Sequence, residues 1–212
     1  RRVISWKRFL IVFGILLATA AAVGALPLVQ NRRHATSLRD RAEKLAAEKD
    51  AEKQDEAIKL YDQYLKYQPK DDSAFRKFAE LNFQRAKDDP KQSYATVENV
   101  EKFLRQFPEN PTERKKLIDL CLDLGRLESA RQHIRILFDK GEQYRQDVDL
   151  LDKAATCEVG LGGDMLQAVK FLDEAILTKK APPRLVARLL GILNDLKAFN
   201  DQRFTPSKYV EI

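Results

Sequence analysis

Residues 110–138, NPTERKKLIDLCLDLGRLESARQHIRILF, decide the fold. Asn110-Pro111-Thr112-Glu113 reads as a helix start. A proline at the first helical position gives up an N–H that would have had no partner, and an acid in the first turn faces the positive end of the helix dipole. Leu117, Ile118, Cys121 and Leu122 then recur at the three- and four-residue spacing of one helix face. Asp123-Leu124-Gly125-Arg126-Leu127 is a tight turn, where glycine at a helix end adopts positive φ at little cost. Ala130, Ile134, Leu137 and Phe138 line a second helix. The stretch predicts a helical hairpin, and a single hairpin cannot bury its apolar stripe alone.

The same signal recurs along the chain. Ala57-x3-Tyr61 is followed by Pro69, and Thr96-x3-Val100 by Pro108. Ala130-x3-Ile134 follows Gly125, and Ala168-x3-Leu172 follows Gly163. The opening residues lie 39, 34 and 38 positions apart, near the period of about 34 that marks arrays of helical hairpins. The first hairpin pairs Leu38, Ala42, Leu45 and Ala46 with Ala57, Ile58, Tyr61, Tyr64 and Leu65, across the charged stretch 48–55. The second opens at Asp71-Asp72-Ser73, good capping residues, and breaks at Asp88-Asp89-Pro90. The fourth runs from Asp147 to about Lys180 through Gly160-Leu161-Gly162-Gly163. Residues 184–198 form one more amphipathic helix, read as a cap or as the start of a fifth hairpin.

These residues resemble tetratricopeptide (TPR) repeats over roughly 35–198. The resemblance implies an all-α chain: a solenoid of about four hairpins plus a C-terminal helix, with 199–212 as a tail or the start of a further segment. It also implies a curved groove lined by the first helix of each hairpin, where a partner protein would sit. On that basis Arg76, Lys77, Glu80, Lys115, Lys116 and Asp119 are candidate groove residues. The plainer alternative is that they are ordinary solvated faces. No ladder of Lys and Asn stands at matched positions, so a clamp for a C-terminal carboxylate is not expected.

Residues 9–29, FLIVFGILLATAAAVGALPLV, carry no charge. About 20 apolar residues cover a hydrocarbon core of roughly 30 Å. Arg1, Arg2, Lys7 and Arg8 precede the run, Arg32 and Arg33 follow it, and Trp6 stands at its first boundary, where amphipathic rings prefer the headgroup region. The run predicts a single membrane-spanning helix within an anchor region 1–34, ending in the link Gln30–His34. It is longer than the apolar core of a cleaved signal peptide. Gly14, Ala18 and Ala22 recur every fourth residue, a spacing that permits close contact with another membrane helix.

The net charge of +6 is confined to that region. Residues 1–34 hold six Lys or Arg and no acid, and the remaining 178 hold 32 of each sign. The basicity therefore suits lipid headgroups rather than nucleic acid. Two cysteines, Cys121 and Cys157, make no disulfide framework and no zinc site, and read as small packing residues. No phosphate-binding loop, HExxH motif or triad order occurs, and His34 and His133 are the only histidines. No catalysis, cofactor, metal or small-molecule substrate is expected.

The sequence thus predicts a single-pass membrane protein whose repeats hold other proteins, as an assembly factor or an accessory subunit of a membrane complex. Alternatives are a chaperone or secretion-type repeat that receives extended client peptides, and the anchoring region of a longer protein. The short leader favours repeats on the periplasmic or exoplasmic side, with the cytoplasmic side as the alternative.

Overall fold

The computed structural model describes the backbone of residues 6–48, 50–178 and 181–195. Within the first helix it describes the side chains of Trp6, Leu10, Phe13 and Leu16 and those from Gln30 onward. Ten α-helices and no strand occur among the described residues: α1 Trp6–Ala46, α2 Ala51–Tyr67, α3 Asp72–Asp88, α4 Ser93–Leu104, α5 Pro111–Asp123, α6 Leu127–Lys140, α7 Glu142–Arg145, α8 Val148–Gly160, α9 Met165–Leu177 and α10 Pro183–Asp195. The chain divides into two compact units, 1–90 and 91–212.

In the first unit, the C-terminal part of α1 packs on α2, and α2 on α3. Ala35, Leu38 and Ala42 of α1 are buried, with Ala57, Leu60, Tyr61, Tyr64 and Leu65 of α2 and Ala74, Phe75, Phe78 and Ala79 of α3. Small residues on facing helices let the axes close to within about 8–10 Å, and the aromatic rings fill what remains. Asp50 caps α2 by accepting from the amides of Glu52 and Lys53. Asp71 caps α3 by accepting from Ala74.

One element departs from expectation. The link 30–34 is not a break, because α1 continues through it to Ala46 as 41 helical residues, about 60 Å at 1.5 Å per residue. Gln30–His34 contains no glycine or proline, so a helix entering it from either side has no reason to stop. The charge-free run lies on this helix, but most of its side chains, including Ala18 and Ala22, lie outside the described residues. Gly14 is described and exposed, with open space where a Cβ would stand. Among the described residues no helix is long and apolar enough to cross a membrane.

In the second unit α4 packs on α5, α5 on α6, α6 on α8, α8 on α9 and α9 on α10. Gly125 sits at φ 68° in the α5–α6 turn, and Gly162 at φ 62° in the α8–α9 turn. Both conformations favour glycine. Pro111 occupies the start of α5, and Asp147 and Asp164 cap α8 and α9. The short α7 fills the connection from α6 to α8 and has no counterpart in the sequence reading. Leu185, Leu189, Ile192 and Leu193 of α10 close a core with Leu172, Ala175 and Ile176 of α9 and with Leu151 and Ala155 of α8. Cys121 and Cys157 are free and buried. Burial pushes both thiols up to about 11.

Candidate functional site

The six candidate groove residues fall into two matched sets, Arg76, Lys77 and Glu80 on α3 and Lys115, Lys116 and Asp119 on α5, each pair 39 positions apart. The first set lies in the first unit and the second set in the second. Most of these charges are engaged. Arg76 pairs with Asp72 of its own helix at 2.9 Å. Lys77 reaches across to Glu43 of α1 at 3.0 Å. Lys115 bonds Asp147, the residue that caps α8, and lies 5.7 Å from the Tyr144 ring centroid. Asp119 pairs with Lys153 of α8. Lys116 is exposed on α5, and Glu80 is exposed on α3.

These contacts form a pattern that sequence reading missed. In the first unit, Arg39 of α1 reaches the α3 cap Asp71 at 2.9 Å, while Glu43, one turn on, takes Lys77. In the second unit, Lys115 of α5 reaches the α8 cap Asp147, while Asp119, one turn on, takes Lys153. Each of the four residues in the first clasp lies 76 positions before its counterpart in the second. A cation and an acid four apart on one helix grip a capping aspartate and a lysine six beyond it on the next first helix. Arg188 of α10 continues the pairing onto Asp152 of α8. The signal was present as a charge repeat, but the hydrophobic template does not weigh charges.

Asp71 is the most heavily used member. It accepts from Ala74 N at 3.0 Å, from Tyr64 Oη at 2.6 Å and from Arg39 Nη1 at 2.9 Å. Burial acts to raise its pKa, but the tyrosine hydroxyl, the helix amide and the guanidinium outweigh it and hold the carboxyl below its ordinary value. Asp147 is lowered in the same way by Lys115 and the Leu150 amide, against its own burial.

Beside the first clasp lies a cavity of about 440 Å³, lined by Glu43, Ala46 and Ala47 of the α1 end, Gln54 and Tyr61 of α2, and Lys77, Glu80, Leu81 and Gln84 of α3. Tyr61 is fully buried, and its hydroxyl has no hydrogen-bond partner among the described residues. Two of the sequence candidates, Lys77 and Glu80, therefore come together at a concave site. Tyr67 is exposed and meets His34 edge-on at 5.4 Å.

The second unit holds a buried polar cluster. Arg114 of α5 donates through Nη1 to His133 Nδ1 at 3.0 Å and through Nη2 to the Leu104 carbonyl at 3.4 Å. With Nδ1 accepting, His133 carries its proton on Nε2, 3.4 Å from Glu101 Oε1. Burial, with the Arg114 cation beside it, pushes His133 down to about 4, although Glu101 pulls the other way. Burial also lowers Arg114. Among the described residues no group of three or more His, Cys, Asp or Glu is placed to hold a metal.

No protein-family model matches this chain, and no curated protein is significantly similar to it in sequence.

Proposed function

We propose that this chain is a membrane-anchored scaffold: an apolar helix through residues 9–29 tethers a TPR-like array of helical hairpins, which holds partner proteins at the membrane surface. The observation that carries the reading is the join. The charge-free run and the first hairpin share the unbroken helix α1, so hairpins attached this way would be held close to the bilayer by a helix rather than a flexible tether. The element order supports the array. The pairs α1–α2, α5–α6 and α8–α9 each pack as consecutive helices, and one ion-pair clasp recurs at a fixed offset. As an assembly factor or accessory subunit, such a protein contributes surface rather than chemistry. The repeats face the periplasmic or exoplasmic side on this reading.

Extraction of membranes at alkaline pH tests the anchor. The full chain stays with the membrane pellet, and a chain lacking residues 1–29 moves to the supernatant. Release of the full chain ends the anchor reading. Protease treatment of intact cells then tests the side, since an exoplasmic array is digested only after the outer barriers are opened.

A further inference from the structure

The cavity between α1, α2 and α3 offers a ligand something specific. Gln54 spends its amide nitrogen on the Glu48 carbonyl at 3.3 Å, and Gln84 spends its own on Asp88 at 2.9 Å. Both of those partners can only accept, so the amide orientations are fixed and each glutamine keeps its carbonyl oxygen uncommitted to them. Glu80 has no cationic partner among the described residues, whereas Glu43 is matched by Lys77 and Arg39. Lys77, the one cation among the described residues of the lining, is held by Glu43 at 3.0 Å. Burial, with Glu43 close by, pushes the Tyr61 phenol up to about 12, so Tyr61 Oη stays a neutral hydroxyl whose lone pairs can accept. Ala46, Ala47 and Leu81 supply an apolar wall. The uncommitted carboxylate and carbonyl oxygens are acceptors, one of them a full negative charge, beside a fully buried hydroxyl that can both donate and accept and has no partner among the described residues.

We infer that this cavity receives the cationic head of an arginine or lysine side chain carried by an extended segment of a partner protein. The inference rests on the scaffold reading and gives it a chemistry. The methylene stem lies along Ala46, Ala47 and Leu81, and the head takes Glu80, the glutamine carbonyls and Tyr61 Oη. A carboxylate entering the same space meets Glu80 and Glu43 with no uncommitted cation among the described residues of the lining to answer it. Arginine fits better than lysine, because its five donors match several acceptors at once.

The test uses the full-length chain in detergent and the capped peptides acetyl-Ala-Ala-Xaa-Ala-Ala-amide, with Xaa as arginine, citrulline or glutamate, titrated calorimetrically. The arginine peptide is expected to bind at least tenfold more tightly than the citrulline peptide, which keeps the shape and loses the charge, and the glutamate peptide not at all. Glu80→Gln is expected to weaken arginine binding at least fivefold. Glu80 is exposed, so this variant keeps its fold. Tyr61→Phe is expected to weaken binding about threefold while the melting temperature holds or rises. Equal binding of the arginine and citrulline peptides, tighter binding of the glutamate peptide, no binding of the arginine peptide at millimolar concentration, or an unchanged affinity in Glu80→Gln overturns the inference. A stoichiometric partner recovered equally by wild type and Glu80→Gln from membrane extract leaves the scaffold standing and removes this site. Recovery of no partner by either chain counts against the scaffold itself.

Discussion

Acidification should loosen the second unit through one side chain, His133. Its ring is buried against Arg114 and held near pKa 4 in the folded chain, against an ordinary value of 6.5. The unfolded chain therefore binds a proton that the folded chain refuses across that window. Stability from this group is fully present above pH 6.5 and is lost as pH falls through about 4. Each pH unit inside the window removes up to about 1.4 kcal/mol. Between pH 7 and pH 5 the expected loss is about 2 kcal/mol, a large fraction of the roughly 5–15 kcal/mol that holds a typical domain together. The groups facing the ring are Arg114 from α5, Glu101 from α4 and the more distant Arg105. Glu101 favours the charged ring, but burial and Arg114 together prevail.

The assay is hydrogen exchange by mass spectrometry on peptides spanning 111–140, corrected for the intrinsic pH dependence of exchange and run on wild type and His133→Asn. Asparagine keeps an acceptor near the Nδ1 position and cannot titrate, so Arg114 retains a partner. The wild-type opening free energy should fall by about 2 kcal/mol from pH 7 to pH 5, while that of the variant changes by less than about 0.5 kcal/mol. The clasp carboxylates Asp71 and Asp147 lie below their ordinary values and do not titrate in this range. Parallel curves for the two chains would refute the argument, because they would mean that His133 is charged, or solvated, in the fold.

Further outcomes follow from the capping residues, turns and thiols. Asp147→Ala removes the α8 cap and the Lys115 partner together and should cost about 1–2 kcal/mol by urea denaturation. Asp71→Ala should cost more, about 2–3 kcal/mol, because it also strands the part-buried Tyr64 hydroxyl. Gly125→Ala forces a Cβ into φ 68° with no steric neighbour to blame, so a loss of about 1 kcal/mol in the same assay reports backbone strain alone. Cys121 and Cys157, buried with thiols near 11, should react with a disulfide reagent at pH 8 only at the rate of unfolding. Fast labelling of either in native buffer would contradict their burial.

Helix existence was legible because it depends on local rules. The cap Asp71, the positive-φ Gly125 and Pro111 at the start of α5 act through neighbours two to four residues away. Three things were not legible. The continuation of α1 through 30–34 has no positive marker, since a helix that simply fails to stop leaves no signal. The four-residue α7 is too short for a periodic pattern. The Arg114–His133 pair joins residues 19 apart whose side chains each look like ordinary surface polar groups in sequence. In sequence His133 simply stands between Arg131 and Arg135, and Arg114 beside Glu113. Their burial is decided by which face of α6 turns to α5, a matter of tertiary packing.

The clasps change what the groove candidates mean. Read as a list, Lys77, Lys115 and Asp119 look like charges offered to a partner. In place, each is engaged by a neighbouring first helix, Lys77 by Glu43 of the one before, and Lys115 and Asp119 by Asp147 and Lys153 of the one after. Exposed pairs contribute little apiece, at most about 1 kcal/mol, but each clasp joins a helix cap to the preceding hairpin and so fixes the register in which first helices meet. A partner competing for those charges would have to break the stacking that presents them. Recognition is more economically placed on groups the stacking leaves over. In the first unit these are Glu80, the carbonyl oxygens of Gln54 and Gln84, and the partnerless hydroxyl of Tyr61. Each can accept a hydrogen bond and Glu80 adds a full negative charge, which is why the proposal of a basic partner segment rests on the groups the clasps leave over rather than on the overall charge of the chain.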